Sequence, residues 1–262
     1  MLYMKIKLVA FLSMFIIIFC GLRGLALSHS AKSVCLFDIV SGTVVYRFNA
    51  DNKMLPASIT KIVTAATALE MGMPDDIVTI TEKSAGIEGS SIYLKVGEKI
   101  KLIDLIYGMM LHSGNDAATA IAEHFGYENF IMRMNNIAKK AGAKSSNFEN
   151  PSGLDGKEHY VTAYDMALIT AYALKNPSFL EVVSEKTKKI TTEDGFTRQL
   201  KNHNKLLWLY EHSLGVKTGF TKKAGRTLVS YAKRNDRELI CVTLNDPDDW
   251  NDHIKLYNNY LK

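Results

Sequence analysis

Leu214-Gly-Val-Lys-Thr-Gly219, Arg226-Thr-Leu-Val-Ser-Tyr-Ala232 and Glu238-Leu-Ile-Cys-Val-Thr-Leu244 follow one another with only short turns between them. Runs rich in β-branched and aromatic residues, bounded by Gly, Asn and Asp, read as strands. Working outward, Asp249–Leu261 reads as a closing helix, and near the other end Ser33–Asp38 and Thr43–Phe48 read as a hairpin turned at Ser41-Gly42. Between these ends the period changes. Ile62, Ala65, Ala66 and Leu69 recur at helical spacing behind Ser58, a residue type suited to an N-cap, and the pattern stops at Gly72. Residues 77 to 100 read as short strands and turns. Leu102–Leu111, Asp116–Phe125, Tyr127–Lys140 and Ala163–Leu174 read as helices. Strands, a helical block, then strands and a last helix predict an α+β fold: one antiparallel sheet closed from both chain ends, flanked by helices, with an all-helical insertion.

The 262 residues are 47% hydrophobic and 23% charged, the composition of an ordinary globular protein rather than a disordered chain. Three cysteines cannot staple a chain of this length. Cys35 and Cys241 lie in apolar runs and read as small buried strand residues, with a cross-strand disulfide as the minor alternative. The formal charge of +5 owes three units to Lys5, Lys7 and Arg23, which share the first thirty residues with no acid; elsewhere 29 basic residues face 27 acidic ones. That excess is too small to indicate nucleic acid. The seven histidines include no His-Glu-x-x-His pair, and no cysteine stands at metal-ligand spacing, so neither a metal nor a cofactor is expected.

Leu8–Leu22 is almost continuously apolar behind two lysines, with small-residue exits at Gly24-Leu25-Ala26 and Ala26-Leu27-Ser28. A basic start, an apolar stretch of about 15 residues and a small-residue exit mark a secretory signal. Residues 1–28 are therefore read as a signal, with an uncleaved anchor as the alternative. The working part is expected to be extracytoplasmic, and membrane attachment only through this segment.

Three short motifs occur in order: Ser58-Ile-Thr-Lys61, Ser113-Gly-Asn115 and Lys217-Thr-Gly219. Ser-x-x-Lys recurs at Ser230-Tyr-Ala-Lys233, but positions three apart on a strand point to opposite faces, whereas on a helix they share one. Only Ser58 and Lys61 can therefore bring hydroxyl and amine together. A serine hydroxyl needs a base to become a nucleophile, and a lysine serves as one only where burial and a nearby positive charge lower its pKa. Lys217 would supply that charge and attract an anionic substrate. Ser113 can relay a proton, the Asn115 amide can orient a substrate amide and Lys61, Thr218 offers a hydroxyl to a carboxylate, and Gly219 lets a substrate backbone approach the strand edge.

With these motifs the sequence resembles the penicillin-binding serine D-alanyl-D-alanine carboxypeptidases of low molecular mass, peptidase family S11, which share the β-lactamase/transpeptidase-like fold. The likeness continues through Leu55–Lys61, Gly89–Leu94, Met109–Ala118, Asn150–Asp155, Asn202–Trp208, Gly215–Thr221 and Ala224–Leu228, covering about 32–262. It implies a single catalytic domain over 29–262 with a helical subdomain at about 84–186; many members carry a further C-terminal β-rich domain, and here the sequence departs from that pattern, so none is expected. It implies acylation of Ser58 with Lys61 as base, assisted by Ser113 and Asn115, and a substrate carboxylate held by Lys217 and Thr218 beside Gly219. The backbone N–H groups of Ser58 and Phe220 would form the oxyanion hole. The partners it implies are a peptidoglycan stem peptide ending in D-Ala-D-Ala and β-lactam antibiotics. Alternatives are a DD-endopeptidase, a β-lactamase and a non-catalytic D-Ala-D-Ala-binding wall sensor. The Glu-x-x-Leu-Asn segment that a class A β-lactamase uses for deacylation is absent from the sequence. Outside the motifs, His112 and the Tyr257–Tyr260 tail read as structural, Asp116 as a helix cap, and the lysines at 186, 188 and 189 as a solvated surface.

Overall fold

The computed structural model describes residues 28–262, so the signal expected at 1–28 lies outside the described residues apart from Ser28. Strands β1 (Ser33–Asp38), β2 (Thr43–Phe48), β7 (Ser213–Thr221), β8 (Gly225–Arg234) and β9 (Arg237–Leu244) form one antiparallel sheet in the order β2-β1-β9-β8-β7. The first and last strands of the chain thus lie side by side, as the outward reading expected. Strand β7, which carries Lys217-Thr-Gly219, is an edge of the sheet.

Alternate residues of the central strands face two different cores. Cys35 and Phe37 of β1, with Ile240, Val242 and Leu244 of β9, enter the large core under the helices. Val34 and Leu36, with Leu239 and Cys241, enter a smaller core closed by Leu256, Tyr257 and Leu261 around helix α8 (Asp249–Tyr260). Covering on both faces is what near-continuous apolar strands require. It also settles the cysteines: Cys35 pairs in register with Val242, Cys241 with Leu36, and the two thiols lie on opposite faces of the sheet, both free and buried.

The helical block consists of α1 (Lys61–Met71), α2 (Leu102–Leu111), α3 (Asn115–His124), α4 (Tyr127–Lys140), α5 (Ala163–Ala173) and α6 (Pro177–Ser184). Helix α1 runs through its middle, with Lys61 and every following residue to Ala68 buried. Two small two-stranded sheets, β3 (Ile77–Thr79) with β4 (Lys99–Lys101) and β5 (Thr187–Thr191) with β6 (Thr197–Lys201), and a single turn α7 (Leu206–Leu209) complete the fold. Helix α6 was not anticipated, although Asn176 caps it through its side chain and Pro177 opens it. Among the described residues no helix is long and apolar enough to cross a membrane.

One local expectation fails. Ser58 is no N-cap; it lies inside a 3₁₀ turn, Ala57–Thr60, that feeds directly into α1. Capping would have turned its hydroxyl back onto the helix. The second Ser-x-x-Lys separates as strand geometry requires. Ser230 is buried, its hydroxyl 2.6 Å from both His253 Nδ1 and the Tyr257 hydroxyl, while Lys233 sits half in solvent, donating to Glu238 at 2.7 Å.

Candidate active site

The three motifs converge on one cleft of about 850 Å³, lined by Ser58, Ser113, Thr218, Gly219 and Phe220 among others. Ser58 reaches it from the 3₁₀ turn, Ser113 from the link between α2 and α3, and the Lys-Thr-Gly segment from the edge strand β7. Two non-glycine residues here hold left-handed backbone: Ala57 at φ +50° and Ser113 at φ +63°. Such conformations cost about 1–3 kcal/mol each and persist only where the surroundings enforce them. At Ala57 the enforcement is visible. A side chain on Gly153 would come within 1.9 Å of the Ala57 carbonyl oxygen, so that loop presses directly on the turn carrying Ser58.

Lys61 Nζ is within hydrogen-bond distance of three acceptors: Ser58 Oγ at 3.0 Å, Asn115 Oδ1 at 2.7 Å and the Ser152 carbonyl oxygen at 2.5 Å. The last two accept only. A neutral amine has two N–H donors and one lone pair, so with both N–H groups committed to Asn115 and Ser152, the lone pair is left for the Ser58 hydroxyl proton. Burial pushes the Lys61 amine well below its usual range, and the charge of Lys217 pushes it further, against a smaller opposing pull from Asp116. Lys217, also buried, is brought down to about 7 by desolvation and donates to the Thr218 carbonyl at 2.9 Å.

Asn115 is fixed from its other end. Its Nδ2 donates to the Glu88 carbonyl at 2.6 Å and its backbone N–H to the Ser90 carbonyl at 2.7 Å, which turns Oδ1 toward Lys61. The loop supplying these carbonyls is tied down by Asp116, which accepts from Ser91 Oγ at 2.6 Å and from the backbone of Ile92 and Leu94, each at 3.1 Å. Asp116 also accepts from its neighbour Ala117, but most of its carboxylate serves this loop rather than the helix end where a cap was expected. Gly219 has a further reason to be glycine. The turn carrying Ser58 demands it, since a Cβ at this position would lie 2.8 Å from the Ser58 nitrogen and 2.4 Å from Thr227 Oγ1.

Two contributors were not assigned roles from sequence. The Ser152 carbonyl is one, although Asn150–Asp155 was among the matching segments. The other is His159, whose Nδ1 accepts from the Glu149 N–H at 3.0 Å while Nε2 lies 2.9 Å from Thr60 Oγ1. That bonding suits a neutral ring, and burial holds its pKa down at about 4. A main-chain carbonyl leaves no mark in a residue pattern; the histidine offered one, but nothing in the sequence set it beside Thr60.

The fold is that of the β-lactamase/transpeptidase architecture, with the three motifs gathered in its cleft. The crystal structure of the Streptomyces K15 DD-transpeptidase superposes with a TM-score of 0.83 at 32% identity, covering 88% of this chain and 97% of that one. Residues 23–248 match the family model of peptidase S11, D-alanyl-D-alanine carboxypeptidase, and the chain belongs to that family. It is 35% identical over 237 residues to the Bacillus subtilis D-alanyl-D-alanine carboxypeptidase DacF, spanning 85% of this chain and 59% of that protein. With Escherichia coli DacC the identity is 37% over 231 residues, 83% of this chain and 57% of the relative. The chain thus spans somewhat more than half the length of these curated relatives.

Proposed function

We propose that this protein is a serine D-alanyl-D-alanine carboxypeptidase acting outside the cytoplasm on peptidoglycan stem peptides, and that β-lactams acylate the same serine. The observation that carries the reading is the fully buried Lys61 amine lying 3.0 Å from Ser58 Oγ, with Asn115 Oδ1 and the Ser152 carbonyl as its other partners. Ser58 gives its proton to Lys61 as Oγ bonds to the carbonyl carbon of the penultimate D-alanine. The oxyanion is met by the backbone N–H groups of Ser58 and Phe220. Collapse breaks the C–N bond, the departing amine takes a proton relayed through Ser113, and D-alanine leaves. Water then hydrolyses the ester. Asn115 keeps Lys61 aimed, and Lys217 with Thr218 holds the substrate's terminal carboxylate.

Intact-mass spectrometry with and without penicillin, paired with an assay of D-alanine release, tests the reading. A single long-lived adduct on Ser58, absent from Ser58→Ala, together with D-alanine release is the expected result. Rapid turnover of the adduct would make the protein a β-lactamase, and neither adduct nor release would overturn an enzymatic role.

The two lysines set the pH dependence. Acylation needs Lys61 neutral and Lys217 charged, so kcat/KM rises as Lys61 loses its proton and falls as Lys217 loses its own, near pH 7 in the empty cleft. A bound carboxylate favours the ammonium form, which moves the alkaline limb of kcat above that of kcat/KM. Lys217→Arg carries a charge that does not titrate in this range. It is expected to remove the alkaline limb; an unchanged limb would separate Lys217 from carboxylate recognition.

A further inference from the structure

Two buried carboxylates grip the start of the described chain, and neither belongs to the three motifs. Ser30 donates its backbone N–H to Asp252 Oδ2 at 2.5 Å, and its hydroxyl lies 2.7 Å from Asp246 Oδ1 and 2.9 Å from Asp252 Oδ2. Asp246 is 0% exposed and Asp252 1%. A hydroxyl has one proton, so Ser30 Oγ satisfies one of the two carboxylates and not both. The neighbours do not make up the deficit. Lys255 Nζ, from the same helix as Asp252, donates to Asp252 Oδ1 at 3.1 Å and is half in solvent. The Asp248 N–H reaches Ser30 Oγ at 3.2 Å and Asp246 Oδ1 at 3.3 Å. His253 turns to Ser230 and Thr243, and burial holds its pKa down at about 3, so it is neutral. Burial likewise keeps the Cys241 thiol protonated. Asp246 Oδ2 is left buried with no partner. Two buried carboxylates with one half-exposed ammonium and an orphan oxygen are short of a positive donor.

We propose that this pair is the seat of the protein's own mature amino terminus, the α-ammonium of His29 formed when the chain is cut after Ser28. The cut follows the Ala26-Leu27-Ser28 exit of the expected signal. A membrane signal peptidase adds water across the Ser28–His29 peptide bond. The carbonyl carbon keeps the water oxygen and Ser28 departs as a carboxylate, while both water protons pass to the nitrogen, making the His29 ammonium. Backbone geometry sets that nitrogen beside the pair. Consecutive backbone nitrogens are at most about 3.7 Å apart, so the His29 nitrogen lies within about 6 Å of Asp252 Oδ2. The segment is held on both sides of Ser30. The His29 ring meets the Phe48 ring edge-on at 4.9 Å and its Nε2 lies 3.0 Å from the Tyr46 hydroxyl, while the Lys32 N–H donates to the Leu244 and Asn245 carbonyls, each at 3.2 Å. An ammonium supplies the charge that the carboxylates lack, whereas a shared proton serves only in acid. Burial pushes Asp246 up to about 6, and Asp252, despite its burial, is held down by Ser30 and Lys255. An uncut chain has a neutral amide at this point. None of these groups takes part in the chemistry at Ser58.

Export of the full chain from a bacterial host, followed by intact-mass spectrometry, is expected to give a protein that starts at His29; any other start overturns the proposal. On that protein, NMR titration of the α-amine, labelled by reductive ¹³C-methylation, should give a pKa of about 9 or higher, against about 8 in the same protein unfolded in urea. The comparison protein carries one glycine inserted between Ser28 and His29, which moves the amine a residue away. Linkage fixes the sign of the melting curves. In the inserted protein Asp246 keeps its raised pKa, so stability falls as pH rises through about 6. In the mature protein the ammonium contributes fully below about pH 8 and is lost as pH rises through about 9. Melting temperatures are therefore expected to differ least near about pH 5 and above about pH 10, and by about 3–6 °C between about pH 7 and 8. Asp246→Asn should narrow that gap and bring the α-amine back toward about 8. Should Asp246→Asn fail to fold, the α-amine titration decides. An ordinary α-amine pKa, or equal melting curves for the two starts, would leave the pair a structural clasp for Ser30 and overturn the proposal.

Discussion

Lys61→Met is expected to slow acylation of Ser58 by about 10⁴-fold, the upper range for removal of a general base. Methionine nearly fills the lysine's volume in a fully buried site, so the loss would be chemical rather than a collapse of packing. It also strips Asn115 Oδ1 and the Ser152 carbonyl of their donor. Each orphaned acceptor costs about 1–3 kcal/mol, partly offset because a poorly solvated amine is removed. A modest drop in melting temperature should therefore accompany the loss of rate. Time-resolved mass spectrometry of the penicillin adduct, with thermal melts of the same samples, checks both. Acylation at the normal rate would mean that some other group takes the Ser58 proton.

Gly219→Ala is the second large effect. The added methyl would sit 2.4 Å from Thr227 Oγ1, 2.8 Å from the Ser58 nitrogen and 3.1 Å from the Ile59 nitrogen. Thr227 cannot simply rotate away at no cost, because its hydroxyl donates to the Pro56 carbonyl at 2.8 Å. The strand must therefore retreat from the nucleophile's turn. Overpacking of this kind costs about 1–3 kcal/mol of stability, and a displacement of about 1 Å between strand and nucleophile costs about 10²-fold in rate. The expected signature is a fall in kcat/KM of about 10²–10³-fold with the fold retained by circular dichroism. Activity within a few-fold of the parent would show that strand and turn need not meet so closely.

Much of the site was legible because helical and strand periods turn spacing into direction. Ser58 and Lys61 at i and i+3 predicted a shared face, and the 3.0 Å contact between them follows from that. Ser230 and Lys233 at the same spacing on a strand predicted separation, and one is buried while the other meets solvent. The misreadings came where a residue type has two uses. Ser58 suits a cap but sits in a 3₁₀ turn, and Asp116 suits a cap but anchors the 91–94 loop.

The sequence by itself determined the order of elements, the candidate nucleophile and base, and the pairing of chain ends into one sheet, since these follow from periodicity and local geometry. Only the tertiary structure decided that Lys61 is directed by the Ser152 carbonyl, that Cys35 and Cys241 face opposite cores, and that Asp246 and Asp252 meet at Ser30. Those facts depend on which segments, distant in sequence, pack together. Such packing is set by three-dimensional complementarity, and a main-chain acceptor or the sign of a strand face contributes to it without leaving a residue type to read.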